Sequence, residues 1–282
     1  MTAVPLGATA TAARAPARRW LAAFIRRDWR IARSYRLQFL LEICAVPIAL
    51  GMLYFLGRLV DQGSLPSDGS FSQGYFAFAA VGFAVLGMAQ SALSSFSSRL
   101  RTEQTTGTFE ALLSSPVSPS VVVVGSAAFD LLRATVGAGA TVLVAVLFGL
   151  RLHLSLGTAV SVLVGLPALV ATFAAVGVVV ASCAVVFKQV TALLGMVTTV
   201  IALLAGVYFP VDVLPGPLQV LANLLPFTWG IDVLRAGLLQ GEVAGGRLGL
   251  LVGFAVVSLP LALWLFGHAV DFARRQGTLT QF

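Results

Sequence analysis

Lysine occurs once in these 282 residues, histidine and cysteine twice each, and charged side chains make up only 10% of the chain. Each scarcity closes off a class of chemistry. The one lysine, Lys188, stands between Phe187 and Gln189, so no GxxxxGK(S/T) phosphate loop exists and the chain is not itself a P-loop ATPase. His153 and His268 are isolated, with no HExxH and no local carboxylate cluster to complete a metal site, and there is no GxSxG nucleophile elbow. Both histidines read as interfacial polar residues, His153 in a short loop and His268 near the end of the last apolar run. Cys44 and Cys183 sit in apolar runs far apart, with no CxxC spacing, and read as core residues. Carboxylates inside the apolar runs are too few to form the serial relay that an ion-coupled carrier needs. If the chain moves something, the energy comes from elsewhere.

What the chain has instead is apolar length. Hydrophobic residues make up 58% of it, and runs near 38–57, 74–96, 122–149, 158–187, 190–209 and 248–270 each approach or exceed the roughly 20 residues that cross a hydrocarbon core. The expected fold is an all-α integral membrane protein with six transmembrane helices. Positive loops stay cytoplasmic. With the N-terminus inside, the inner segments hold Arg14, Arg18, Arg19, Arg26, Arg27, Arg30, Arg33, Arg36, Arg99, Arg101, Lys188, Arg274 and Arg275, and the outer ones only Arg58, Arg151, Arg235 and Arg247. Thirteen against four predicts cytoplasmic N- and C-termini, and the net charge of +7 then reports topology rather than nucleic-acid binding.

Residues 1–16, rich in Ala, Thr and Pro, read as a disordered leader, and no signal cleavage is expected because the basic region is long and the first full apolar run carries Glu42. Over 17–36, Trp20, Leu21, Phe24, Ile25, Ile31, Ala32 and Tyr35 share one helical arc and most arginines fall outside it, which predicts an amphipathic helix in the cytoplasmic interface. Asp28 falls inside that arc, where it either faces a neighbouring chain or snorkels. The third apolar run carries Asp130 and Arg133 at i, i+3. Such a pair either marks a path or inter-subunit contact, or neutralises itself near a helix end. Residues 37–282 are read as one six-helix domain. Gly249 and Gly253 form a GxxxG that serves packing within the chain as readily as dimerisation.

After the fifth run, prolines at 210, 215, 217 and 226 break the chain into pieces too short to span. The stretch near 210–240 is predicted to form two outer half-helices, either dipping back toward the bilayer to close a path or lying in the interface.

Between the second and third runs lies RTEQTTGTFEALLSSPVSP, residues 101–119. Thr108 suits an N-cap, Glu110 lies in the first turn where the helix dipole favours an anion, Pro116 stops the helix, and Phe109, Leu112 and Leu113 share a face. A helix of two turns near 108–115 is not stable alone in water and needs a surface to dock on. On a chain without its own motor, such a cytoplasmic knob is what a detachable ATPase would grip.

This stretch resembles the loop of type-2 ABC transporter permeases, in which an acidic residue, Gly-Thr, an acidic residue, Leu-Leu and Pro follow the second span. Glu103, Gly107, Thr108, Glu110, Leu112, Leu113 and Pro116 match in place. A second match, after the fifth span, is carried by Phe209, Pro210, Leu214, Pro215, Pro226, Asp232 and Arg235. Thr105 departs from the pattern where many members carry a second acidic residue, which puts an ion pair to the partner there in doubt. The resemblance implies a non-catalytic permease subunit of a bacterial inner-membrane exporter. It implies two permease copies or a related pair, and two separate cytoplasmic ATP-binding subunits that hold ATP and Mg. The 108–115 segment would be the coupling helix, and the residues of the second match would help close the exit. An amphiphile such as a drug, natural product or lipid-linked glycan is the expected cargo. A membrane scaffold or sensor that recruits an ATPase is the alternative; a lipid-modifying enzyme fits less well, since clusters of Asp, His and Cys are missing.

Overall fold

The computed structural model describes the backbone of residues 36–60, 71, 73–105, 119–187 and 191–275. The leader at 1–16, nearly all of the expected interfacial helix at 17–36, and the expected coupling helix at 108–115 lie outside the described residues.

Among the described residues every regular element is helical. α1 is Arg36–Leu59, α2 Gly74–Thr105 and α3 Pro119–Leu147. α4 runs continuously through Leu156–Val160, a π turn at Ser161–Gly165 and Leu166–Phe187. α5 is Thr191–Leu204, α6 Gly216–Leu224 and α7 Pro226–Arg235, the last prolonged by a π turn at Ala236–Gln240. α8 is Gly245–Arg275. Four of these, over Gly74–Ser95, Ala128–Leu147, Leu156–Cys183 and Gly245–Phe272, are long and apolar enough to cross a membrane. Cys44–Leu59 and Leu194–Leu204 are shorter apolar helices.

The fifth apolar run reads as 20 residues in sequence but forms a helix of only 14. At 1.5 Å per residue that is about 21 Å, short of a hydrocarbon core of about 30 Å. The helix stops because Gly206 takes a left-handed φ of 71°, and the chain then turns through Phe209 and Pro210. Cys44 departs from expectation too: it is exposed on α1, while Cys183 is half-buried.

α2 is the central helix. In its most apolar window 72% of the residues are buried, against 17% in α3 and in α8. Ala77, Ala80, Ala84 and Ala89 lie on it fully buried, and small residues of this kind let backbones approach where lipid supplies no hydrophobic drive between helices. α3 and α4 pack on α2, and α8 lies along α4. That last contact is a ladder of Ala174, Val178 and Ala181 on α4 against Ala262, Phe266 and Val270 on α8, each set recurring about every turn. Apolar faces of α1, α3 and α8, including Met52, Leu143 and Trp264, stay exposed, as expected of surfaces that face acyl chains. Helical Thr and Ser turn their hydroxyls back on the preceding turn: Thr141 donates to the Gly137 carbonyl at 2.9 Å, Thr172 to Ala168 at 2.9 Å and Ser182 to Val178 at 2.8 Å.

The π turn in α4 has a local cause. Pro167 has no N–H to give the Leu163 carbonyl and its ring crowds that oxygen, and Leu163 lies inside the widened turn.

Candidate functional site: a stapled cap at one end of the bundle

The two short helices expected near 210–240 are present. Pro217 and Pro226 sit in the first turns of α6 and α7, where a missing N–H costs nothing, and Gly241, at a φ of 75°, closes the π turn after α7. They form a cap on the end of the bundle that holds Gly74 and the 148–155 connection. The segment that follows Thr105 leaves from the other end of α2. From Phe78 to Thr105 the helix rises through 27 residue steps, or about 40 Å.

Arg235 is the cap's centre, and the structure buries it, where the sequence reading counts it among the outer arginines and within the second half-helix. Its guanidinium lies over the Phe78 ring, 3.4 Å from Cζ to centroid. Nε donates to the Phe78 carbonyl at 3.2 Å and Nη2 to the same oxygen at 2.9 Å. Nη1 donates to Gly206 at 2.8 Å and Nη2 also to Val207 at 3.0 Å. A buried cation is tolerated when its donors are met. Here they are met by carbonyls of α2 and of the turn after α5, so one side chain of α7 staples three parts of the chain. Burial pulls its pKa down from the usual arginine range to about 9, opposed by the charge of Asp232.

Gly82 makes this approach possible. A Cβ there would lie 2.3 Å from the Val207 carbonyl oxygen and 2.7 Å from Arg235 Nη2. The motif reading named Arg235 but missed Gly82, Phe78 and Gly206, because their role appears only once α2, the turn and α7 meet.

Asp232, one turn before Arg235, pairs with Arg247 at the start of α8, Oδ2 to Nε 3.5 Å, with both side chains 35% exposed. Arg247 Nη2 also donates to Asn223 Oδ1 at 2.7 Å. Burial raises the Asp232 pKa, while Arg247 and Arg235 draw it down. Polar bonds order the rest of the cap: Gln219 donates to the carbonyls of Asp212 and Leu214, both at 2.8 Å, Thr228 to Ala222 at 2.7 Å, and Trp229 Nε1 to Asn223 at 2.7 Å. Pro226 is buried, Phe209, Pro210 and Leu214 are half-buried, and Pro215 is exposed, so the sequence-predicted outer set is brought into one region with unequal burial.

A second seam fixes the cap to α4. Gly157 and Ser161 on α4 face Gly237 and Gly241 across a contact so close that a Cβ on Gly157 would lie 2.2 Å from the Gly241 oxygen, and one on Gly237 2.4 Å from Ser161 Cβ. Thr158 donates to Gly237 at 2.8 Å and Ser155 to Gly241 at 2.5 Å. Gln73, just before α2, bonds both main-chain groups of Arg151 and donates to Leu239 at 3.3 Å.

The remaining expected sites lie apart. Asp130 and Arg133 are on α3, half-buried and exposed, away from the cap. Glu103 is in the last turns of α2, and Gly107, Thr108, Phe109, Glu110, Leu112, Leu113 and Pro116 lie outside the described residues. His268 sits exposed on α8 against Trp264, and His153 is exposed in the 148–155 connection. Among the described residues no three His, Cys, Asp or Glu side chains converge as metal ligands.

These features define a multi-pass helical membrane protein with an ordered polar cap at one end. The sequence profile of the ABC-2 type transporter family matches residues 20–239, and the chain belongs to that family. Over 140 residues, 49% of this chain, it is 31% identical to nodulation protein J of Rhizobium leguminosarum bv. viciae, of which 52% is covered. Over 164 residues, 56% of this chain, it is 29% identical to nodulation protein J of Rhizobium meliloti (strain 1021), of which 59% is covered. The match therefore spans between half and three-fifths of the length of these relatives.

Proposed function

We propose that this chain is the permease subunit of an ATP-driven exporter in a bacterial inner membrane, with cytoplasmic termini and six crossings, the fifth made by the short α5 together with the turn that follows it. Two copies, or a related pair, enclose the path, and two separate subunits bind ATP and Mg. The family match over residues 20–239 carries this reading. The 101–119 stretch falls inside that match, with Leu112 and Leu113 on the apolar face of a helix seated on the ATPase. ATP binding draws these seats together and shifts the bundle between two packed arrangements. The cap of α6 and α7 re-enters from outside and closes the exit. Its distance of about 40 Å along α2 from Thr105, the length of a whole membrane-crossing helix, supports placing cap and seat on opposite faces. The cargo is an amphiphile.

The test is ATP hydrolysis in lipid nanodiscs by a co-expressed cassette subunit alone, with this chain, and with the Leu112→Asp, Leu113→Asp double variant. Stable assembly and altered hydrolysis, both lost in the double variant, are the expected result. Unchanged assembly and hydrolysis in that variant would remove the 108–115 helix as the coupling element. Assembly whose hydrolysis ignores every amphiphile would instead favour a scaffold or sensor.

A further inference from the structure

Of the arginines at the cap's end of the bundle, Arg235 and Arg247 are engaged within the cap, while Arg58 and Arg151 pair with no carboxylate among the described residues. We propose that Arg58 binds the phosphate of an anionic phospholipid in the leaflet on the cap's side, with Phe55 and Leu59 receiving its acyl chains and Arg151 adding to the attraction. The lipid is a resident partner of α1, bound away from the cap. α1 packs on the bundle through Leu50, Leu53 and Gly57, and Arg58 lies on its opposite, outward face.

Arg58 stands at head-group level. Gly57 lies so near α2 that a Cβ there would come 3.2 Å from the Phe76 Cβ. The Tyr54 ring meets Phe76 at 5.6 Å and Phe148 at 5.8 Å, both edge-on. The apolar windows of α2 and α3 end beside these rings, at Gly74 and Leu147, so three helices leave the hydrocarbon together inside an aromatic collar. The guanidinium is held ready by that collar. Nη2 donates to the Tyr54 hydroxyl at 2.8 Å, and Cζ lies 5.0 Å from the ring centroid. One N–H is thereby used, and the rest of the planar fork is left to meet phosphate oxygens in pairs. On the same face of α1, Phe55 and Leu59 flank Arg58 at i−3 and i+1 and are 66% and 82% exposed. A cation set between open apolar side chains at the end of a membrane helix suits a molecule with a charged head and apolar tails. A free anion would use only the cation. Arg151 follows Phe148 by three residues, and its printed bonds are made by its main chain to Gln73, which leaves its guanidinium open to the same head group. A zwitterionic head would bring an ammonium as well, and no carboxylate among the described residues stands beside Arg58 to receive it.

The full chain, purified in detergent without any ATPase, is titrated with dioleoyl phosphatidylglycerol and with dioleoyl phosphatidylcholine, whose tails are the same, and bound lipid is counted by native mass spectrometry. The expected result is a phosphatidylglycerol held about tenfold more tightly than phosphatidylcholine, and weakened about tenfold by Arg58→Gln with Arg151→Gln. Thermal unfolding of that double variant at the parental temperature shows that its loss is local. Should it fail to fold, Tyr54→Phe, which removes only the hydroxyl that orients Arg58, carries the comparison, with a weakening of about threefold expected. Equal binding of the two lipids, or binding that the substitutions leave unchanged, would reduce the contact to an unselective lipid annulus and overturn the proposal. Competition by glycerol 3-phosphate at the lipid's own concentration would assign the site to a free phosphate, and the absence of any bound lipid would leave this face to another protein chain; either result overturns it too. Because no hydrolysis is read, failure here leaves the exporter assignment standing, and failure of the hydrolysis assay leaves this binding intact.

Discussion

Arg235 shows how one side chain sets the order of its surroundings. Its four bonds run to backbone oxygens, so no change of neighbouring side chains can substitute for it. Hydrogen bonds to a charged group are worth roughly 1.5–3 kcal/mol each but are not additive, so Arg235→Ala should cost about 3 kcal/mol or more. Arg58→Ala, on an exposed residue that touches Tyr54, should stay within about 0.5 kcal/mol. Thermal unfolding in detergent checks both, and Arg235→Lys should recover only part of the loss, since an ammonium cannot reach two separated sets of carbonyls. Asp232 carries the opposite sign. A carboxyl whose pKa is raised in the fold adds stability that is complete below its unfolded value and is lost as pH rises through the folded one. Removing the charge with Asp232→Asn should therefore leave stability at pH 7 unchanged or higher and flatten its rise on acidification. Unfolding scans between pH 4 and 7 test this window. A steeper pH dependence in the variant would contradict the burial argument.

At the scale of elements, glycine does two different jobs. Gly157, Gly82 and Gly237 stand where a Cβ would strike backbone or a fixed neighbour, so Gly237→Val should separate the cap from α4 and lower the unfolding temperature markedly. A Cβ on Gly249 or Gly253 would meet nothing within 4 Å, so their GxxxG packs against no neighbour among the described residues. Gly249→Ala should be neutral or stabilise α8 by up to about 1 kcal/mol through helix propensity, read from the same unfolding experiment. The helices themselves were legible in sequence. Apolar length announced α1 to α4 and α8, and the prolines at 217 and 226 announced the starts of α6 and α7. The end of α5 was not legible, because Val207, Tyr208 and Phe209 continue an apolar run whose break is made by backbone conformation at Gly206. Nor was the burial of Arg235. A sequence shows a charge beside apolar residues, while its carbonyl partners come from positions 29 and 157 residues away.

For the whole molecule, the excess of inner arginines makes a prediction about sides. In a background with Cys44→Ser and Cys183→Ser, a cysteine at Leu154, 91% exposed in the 148–155 connection, should react with a membrane-impermeant maleimide applied to intact cells. One at Gly277 should react only after permeabilisation. The reverse pattern would invert the protein in the membrane and place the cap on the ATPase side.

α2 has neither proline nor π turn along its 32 residues, and Arg235 grips it at Phe78. Mechanically it is a stiff lever with a handle fastened near one end. A tilt of about 5° around its midpoint displaces each end by about 2 Å, since half its length is about 24 Å. Movement delivered to residues 101–105 thus reaches the cap as geometry, by the pivoting of a single rod, without a relay of intervening side chains.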